Sequence, residues 1–274
     1  MTNGQLGGQH ITVGDIQIYY RIDEPADGGD SAPVVMLSNS LASNLAMWDA
    51  QVPALTAAGF KVVRYDSRGH GKSDAPVGEY TIAQLGADAA GLIDALELGP
   101  VHFCGLSKGG MVAQVLGANY AAKIRSLTIC ASAARLGSAD VWQPRIDAVA
   151  QGGMTVVAEA TLQRWFTPAA TNRIAAEIDA VRQMVLSTPP QGFIGCCHAI
   201  KNMDLRASAP SITAPTRVIV GADDPSTTPA HAAEIVALIS GADLVEIPAS
   251  AHFLNVEQAG AFNAALLEHL TVQP

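Results

Sequence analysis

Short apolar runs recur along this chain and empty into loops. Val34-Val35-Met36-Leu37 is continuous, whereas Phe60-Lys61-Val62-Val63-Arg64-Tyr65, Val101-His102-Phe103-Cys104 and residues 124–130, 216–220 and 242–247 are largely apolar stretches carrying single polar or charged residues or pairs of them. All are predicted strands, and the continuous run has the mark of one buried on both faces. Residues 11–13 and 16–21 instead alternate around Gly14-Asp15 and predict a hairpin. Leu85, Ala89, Leu92, Ile93 and Leu96 fall near the 3.6-residue period, which predicts a helix over 80–98 with Thr81 as its N-cap. Further helices are expected over 47–59, from about 110 onward, and over 256–270.

Strand–helix alternation implies an α/β fold, a mostly parallel central sheet flanked by helices. The alternation stops near Arg135. Residues 135–206 read as helices punctuated by Pro168, Pro189-Pro190 and Gly192, and the strand pattern resumes at Thr216. The expected organisation is a core of 1–134 and 207–274 with a helical cap inserted at 135–206. Residues 1–10 read as a loose polar tail and 27–32 as a polar loop.

Hydrophobic residues make up 49% of the chain and charged residues 15%, a balance that suits a large buried core. The net charge of −9 argues against nucleic acid or an anionic membrane as partner. No apolar run spans a bilayer and the start lacks a secretory pattern, so a cytoplasmic location is expected. Cys104, Cys130, Cys196 and Cys197 show no C-x-x-C spacing, and neither a disulfide framework nor a metal is expected. Gly71-Lys72-Ser73 mimics the end of a P-loop, but Asp66 stands where the first glycine belongs, which excludes nucleotide binding there.

One stretch carries chemistry. Gly105-Leu106-Ser107-Lys108-Gly109 follows an apolar strand and precedes an apolar helix. Small residues flank the serine because the strand must turn sharply, and the turn lifts Ser107 to a helix N-terminus that favours negative charge. This is the nucleophile elbow of the α/β-hydrolase fold. A serine hydroxyl needs a base, and the base an orienting carboxylate, in the chain order Ser, Asp, His. After the strand at 216–220, Gly221 is followed three positions on by Asp224, with Pro225 and Pro229 beyond, and this selects Asp224, with Asp223 as the alternative. His252, in the loop after the last strand, is the base; His231 and His269 fall on helices and are expected to face solvent, and His198 lies in the cap. The oxyanion donors are the backbone N–H of Lys108 and that of Ser40, with Leu41 the alternative to Ser40. His70 and Asp66 are expected to stabilise their turn. The set requires no cofactor and suits a small-molecule ester or lactone.

The chain then resembles the 3-oxoadipate enol-lactonases, a branch of the α/β-hydrolases, over nearly its whole length. The resemblance rests on Leu37-Ser38-Asn39-Ser40-Leu41 in place of the usual His-Gly loop, Met47-Trp48, and Arg64-Tyr65-Asp66-Ser67-Arg68-Gly69-His70-Gly71. It extends through Ala133-Ala134-Arg135, Val141-Trp142-Gln143-Pro144-Arg145 and Arg164-Trp165-Phe166-Thr167. It implies hydrolysis of 3-oxoadipate enol-lactone to 3-oxoadipate. That substrate bears a free carboxylate, for which Arg145 and Arg135 are the candidate anchors. Trp142 and Leu41 are the candidate pocket walls. Lys108 departs from the methionine common in the family, and its side chain is expected either to aid anion binding or to point to solvent. Other lactonases or carboxylesterases on small acids, and cofactor-free carbon–carbon bond hydrolases, share the same set.

Overall fold

The computed structural model describes residues 7–26, 29 and 31–272; the tail at 1–10 and the loop at 27–32 fall partly outside them. Eight strands form one sheet: β1 (Gln9–Val13), β2 (Ile16–Asp23), β3 (Val34–Ser38), β4 (Lys61–Tyr65), β5 (Val101–Leu106), β6 (Ile124–Cys130), β7 (Thr216–Gly221) and β8 (Asp243–Ile247). The spatial order is β1-β2-β4-β3-β5-β6-β7-β8. β1 and β2 form the expected hairpin, turning at Gly14 with φ 57°, and β2 runs antiparallel to β4. Every other pairing is parallel. Parallel strands deliver their following loops to one edge of the sheet, and ligand sites form there. Ser38, Ser107 and the loops after β7 and β8 therefore converge although they are far apart in sequence.

The helices are α1 (Val52–Ala57), α2 (Ile82–Ala95), α3 (Lys108–Asn119), α4 (Ala139–Gly152), α5 (Thr155–Trp165), α6 (Ala170–Arg173), α7 (Ala175–Ser187), α8 (Pro190–Lys201), α9 (Pro229–Leu238), α10 (Leu254–Glu257) and α11 (Ala259–Thr271). α2 packs on α3 and α1 on α11, while α4 to α8 all lie between β6 and β7. Thr81 caps α2 as expected from the sequence, its hydroxyl accepting from Gln84 N at 3.0 Å.

Two expected helices are each broken in two. Over 47–59, a single 3-10 turn at Leu45–Trp48 precedes α1, because Pro53 has no N–H to continue a helix and fits only near its start. Over 256–270, the break falls at Gln258, whose side chain is drawn off to the carbonyl of Ala249 at 2.8 Å. His269 does not face solvent: it is buried on α11, with Nε2 3.1 Å from the carbonyl of Leu127. All four cysteines are free and buried. Among the described residues no helix is long and apolar enough to cross a membrane.

Candidate active site

Ser107 joins β5 to α3 with φ 57° and ψ −111°. A non-glycine residue at positive φ costs about 1–3 kcal/mol, so the surroundings must enforce it. They do. Ser107 N donates to Cys130 O at 2.8 Å, and Ser107 O accepts from Gly110 N at 2.9 Å and from Ser132 Oγ at 2.8 Å. A Cβ on Gly105 would lie 2.0 Å from Gly109 O, and one on Gly109 would lie 2.2 Å from Ser38 O. No larger residue fits between β3, β5 and α3. The N–H of Lys108, at the open start of α3, has no acceptor among the described residues.

The loop after β3 faces this turn. Asn39 Nδ2 donates to Ser43 O at 2.7 Å, and Ser40 N–H points to Met47 Sδ at 3.4 Å. Ala42, at φ 57°, donates its N–H to His70 Nε2 at 2.9 Å. Between them, the N–H of Leu41 has no acceptor among the described residues. Burial, reinforced by the charge of Lys108, holds His70 well below the ordinary imidazole range. The neutral ring accepts from Ala42 and donates from Nδ1 to Arg68 O at 3.2 Å. Asp66 accepts from Leu45 N at 2.7 Å and Lys72 N at 2.8 Å. These residues therefore tie their own turn to the loop after β3. Lys108 does not reach solvent: its side chain is 1% exposed and its ammonium donates to Ser67 Oγ. Burial lowers its pKa.

The loops after β7 and β8 bring Asp224 and His252 together. His252 Nδ1 lies 2.8 Å from Asp224 Oδ2, and both side chains are buried. The other carboxylate oxygen accepts from Ser226 N at 2.7 Å and Thr227 N at 3.1 Å. Thr227 Oγ1 donates to Oδ2 at 2.8 Å. Burial alone would raise the Asp224 pKa; the charge of His252 and the hydrogen bonds from His252 and Thr227 outweigh it and bring the value below normal. Asp223 points elsewhere, to a neighbouring cavity. The Trp165 ring is tilted over His252 with centroids 6.3 Å apart and stacks on Phe253 at 4.2 Å.

Ser107 and His252 line one cavity of about 220 Å³, without a direct hydrogen bond between them. Ser40 and Leu41 border it on one side, and Trp142, Arg145, Arg164 and Phe193 from the helical insertion on the other. Trp142 is fixed by donating Nε1–H to Leu136 O at 3.0 Å, and the Arg145 guanidinium lies 5.0 Å from the centre of its ring.

Residues 33–259 match the model of the alpha/beta hydrolase fold family. The chain is 35% identical over 256 residues to 3-oxoadipate enol-lactonase 2 of Acinetobacter baylyi, covering 93% of this chain and 94% of that one. It is 35% identical over 236 residues to 3-oxoadipate enol-lactonase 1 of the same organism, covering 86% and 88%. The crystal structure of the enol-lactonase from Burkholderia xenovorans LB400 superposes with a TM-score of 0.92 at 41% identity, covering 96% of this chain and 100% of that one. The chain belongs to the 3-oxoadipate enol-lactonase family of the α/β hydrolases. It is a hydrolase acting on ester bonds.

Within this hydrolase, the sequence-selected Asp224 and His252 are in contact, and Ser107, Ser40, Leu41, Trp142 and Arg145 border their cavity. Arg135 stands apart from them. Its side chain is 52% exposed, sits 4.0 Å from Asp204 and does not border the cavity. The chain turns outward there, between the end of β6 and α4, toward the acidic surface residue. His198 faces Glu79 at 3.2 Å rather than the cavity. Arg164 was not singled out by sequence reasoning as a site residue. The signal was present: Thr161, Arg164 and Trp165 stand at i, i+3 and i+4, one face of α5, and all three line the cavity.

Proposed function

We propose that this hydrolase opens 3-oxoadipate enol-lactone to 3-oxoadipate, with Ser107 as nucleophile, His252 as base then acid, and Asp224 as its orienting carboxylate. The observation that carries the reading is the Asp224–His252 pair opening onto the same cavity as Ser107, with Arg145 bordering it. Ser107 Oγ attacks the lactone carbonyl as His252 Nε2 takes its proton. The tetrahedral oxyanion accepts from the free N–H groups of Lys108 and Leu41. Leu41 is the better donor because the Ser40 N–H is committed to Met47. The ring carbon–oxygen bond then breaks. Its oxygen leaves as an enolate, which is a weaker base than an alkoxide and takes up a proton as it becomes a ketone. Water, activated by His252, releases the acyl group from Ser107. The free carboxylate of the substrate pairs with Arg145, whose planar guanidinium suits it and is steadied by Trp142. The helices of 135–206 act as a cap over the core. The protein works in the cytoplasm and needs no cofactor.

The test compares hydrolysis of the enol-lactone, a neutral short-chain ester and a simple alkyl lactone, with Ser107→Ala as control. Preference for the enol-lactone by at least about 100-fold in kcat/KM, with turnover lost in the variant by about 10³-fold or more, is expected. Ester turnover without that preference overturns the substrate assignment and keeps the nucleophile. Turnover surviving in Ser107→Ala overturns the nucleophile.

A further inference from the structure

In an acidic chain, arginines are ordinarily paired. Among the described residues, four have no carboxylate within 4.0 Å: Arg125, Arg145, Arg164 and Arg173. Two of them are occupied by main-chain carbonyls, Arg125 by Pro100 O at 3.1 Å and Arg173 by Glu257 O at 2.9 Å. The remaining two, Arg145 and Arg164, border the same cavity as Ser107. No aspartate or glutamate borders that cavity among the described residues. Arg164 makes a single hydrogen bond, to Thr161 Oγ1 on its own helix at 3.3 Å, which leaves most of its donors unused. Burial, and then the charge of Arg145, lower its pKa. Two like charges held toward one small cavity without a counter-ion repel each other, and an anion placed between them removes that cost.

We infer that Arg145 and Arg164 are the two arms of one clamp for a single carboxylate, and that Arg164 is a specificity-determining residue of the cavity. The arms come from different helices, α4 and α5, so the clamp forms only when those helices are packed together. This inference rests on the reading of Ser107 as the reacting centre, and extends it. The carboxylate is gripped from two directions, and the rest of the acyl chain lies toward Ser107. A linear dicarboxylate of six carbons, the outline of the ring-opened product, then binds with one carboxylate in the clamp and the other at the oxyanion donors. The hydrolase is therefore inhibited competitively by such acids.

The experiment measures binding of adipate and of dimethyl adipate to the Ser107→Ala protein by calorimetry, with Arg164→Gln, Arg164→Lys, Arg145→Gln and the double Gln variant added. Folding of each variant is checked by circular dichroism. Adipate is expected to bind at least about 30-fold more tightly than its dimethyl ester. Arg164→Gln is expected to weaken adipate about 10- to 100-fold, the range for a hydrogen bond to a charged group, with much of the loss restored by Arg164→Lys. Because both arms hold one carboxylate, the two single losses should not multiply in the double variant. Equal affinity for adipate and its ester, or adipate binding indifferent to Arg164→Gln, overturns the clamp. Losses that multiply overturn its shared character. In otherwise wild-type protein, Arg164→Gln should lower kcat/KM for the enol-lactone relative to a neutral ester by a similar factor. These readouts separate the two claims. Adipate binding that depends on Arg164 in a protein that hydrolyses no lactone leaves the clamp standing and removes the proposed activity. Enol-lactone selectivity with no role for Arg164 does the reverse.

Discussion

Asp224 shows how much one side chain is asked to do. Its carboxylate is buried, yet three donors and the His252 ring keep it ionised. In Asp224→Asn, an amide can present its N–H to His252 Nδ1, which favours the wrong tautomer for taking a proton from Ser107. The expected result is a fall in kcat of about 10³- to 10⁴-fold with the fold retained. A stopped assay on a chromogenic ester, with a thermal melt as control, reads both. The same carboxylate also sets an acid limit. Its folded-state pKa is lowered, so it contributes stability that is fully present above the unfolded value of about 3.9 and is lost as pH falls through the lower folded value. A melting-temperature series below about pH 4 should therefore fall more steeply for the wild type than for Asp224→Asn. Equal slopes would mean that the carboxylate is not stabilised in the fold. Asp224 was legible in the sequence because a loop after a buried strand fixes its position. Thr227, which donates to it, was not, since a threonine in a turn has no pattern of its own. For Lys108 the sequence allowed two readings, anion binding or solvent, and burial of the side chain excludes only the second. A charged residue predicts exposure, and only the long-range partner Ser67 shows how the buried amine is accommodated.

At the scale of elements, the site is a set of loop ends held to one another. Most strands were readable because burial on both faces leaves a largely apolar run; their spatial order was not, because such a run does not specify its neighbour in the sheet. The helix at 47–59 was over-read because its apolar content continues through Pro53, where the backbone cannot. The loop after β3 gave no local signal of its conformation. Ala42 adopts φ 57° because His70, 28 positions away, accepts its N–H. In His70→Ala that acceptor is gone and the positive φ has less to hold it, so the neighbouring Leu41 N–H drifts from the reacting centre. Removing one oxyanion donor elsewhere costs about 10²–10³ in kcat, and a displaced donor should cost part of this, about 10- to 100-fold, with KM changing far less. Steady-state kinetics on a neutral ester measure the split. A rise in KM with kcat unchanged would assign His70 to substrate binding instead of to the loop.

At the scale of the whole molecule, the helical insertion must be joined to the sheet edge that carries His252, and Glu257 makes that joint. Its carboxylate is buried and accepts from Ala251 N at 2.9 Å, next to His252, and from the backbone and hydroxyl of Thr167, just beyond α5. Nearby, Phe253 N donates to Trp165 O at 2.9 Å and the two rings stack. None of this was legible beforehand, because the contact spans 90 residues and a lone glutamate near a helix reads as surface. In Glu257→Gln the amide keeps one acceptor and turns an N–H toward a donor it previously satisfied. An unsatisfied buried donor costs about 1–3 kcal/mol, or roughly 2–12 °C in Tm for a domain of this size. The positional effect is separable from the loss of stability. If Glu257 fixes the His252 loop, kcat measured well below the melting range should still fall with KM changing far less, because the His252 ring is displaced from Ser107. A lower Tm with an unaltered kcat would confine Glu257 to holding the two parts of the fold together.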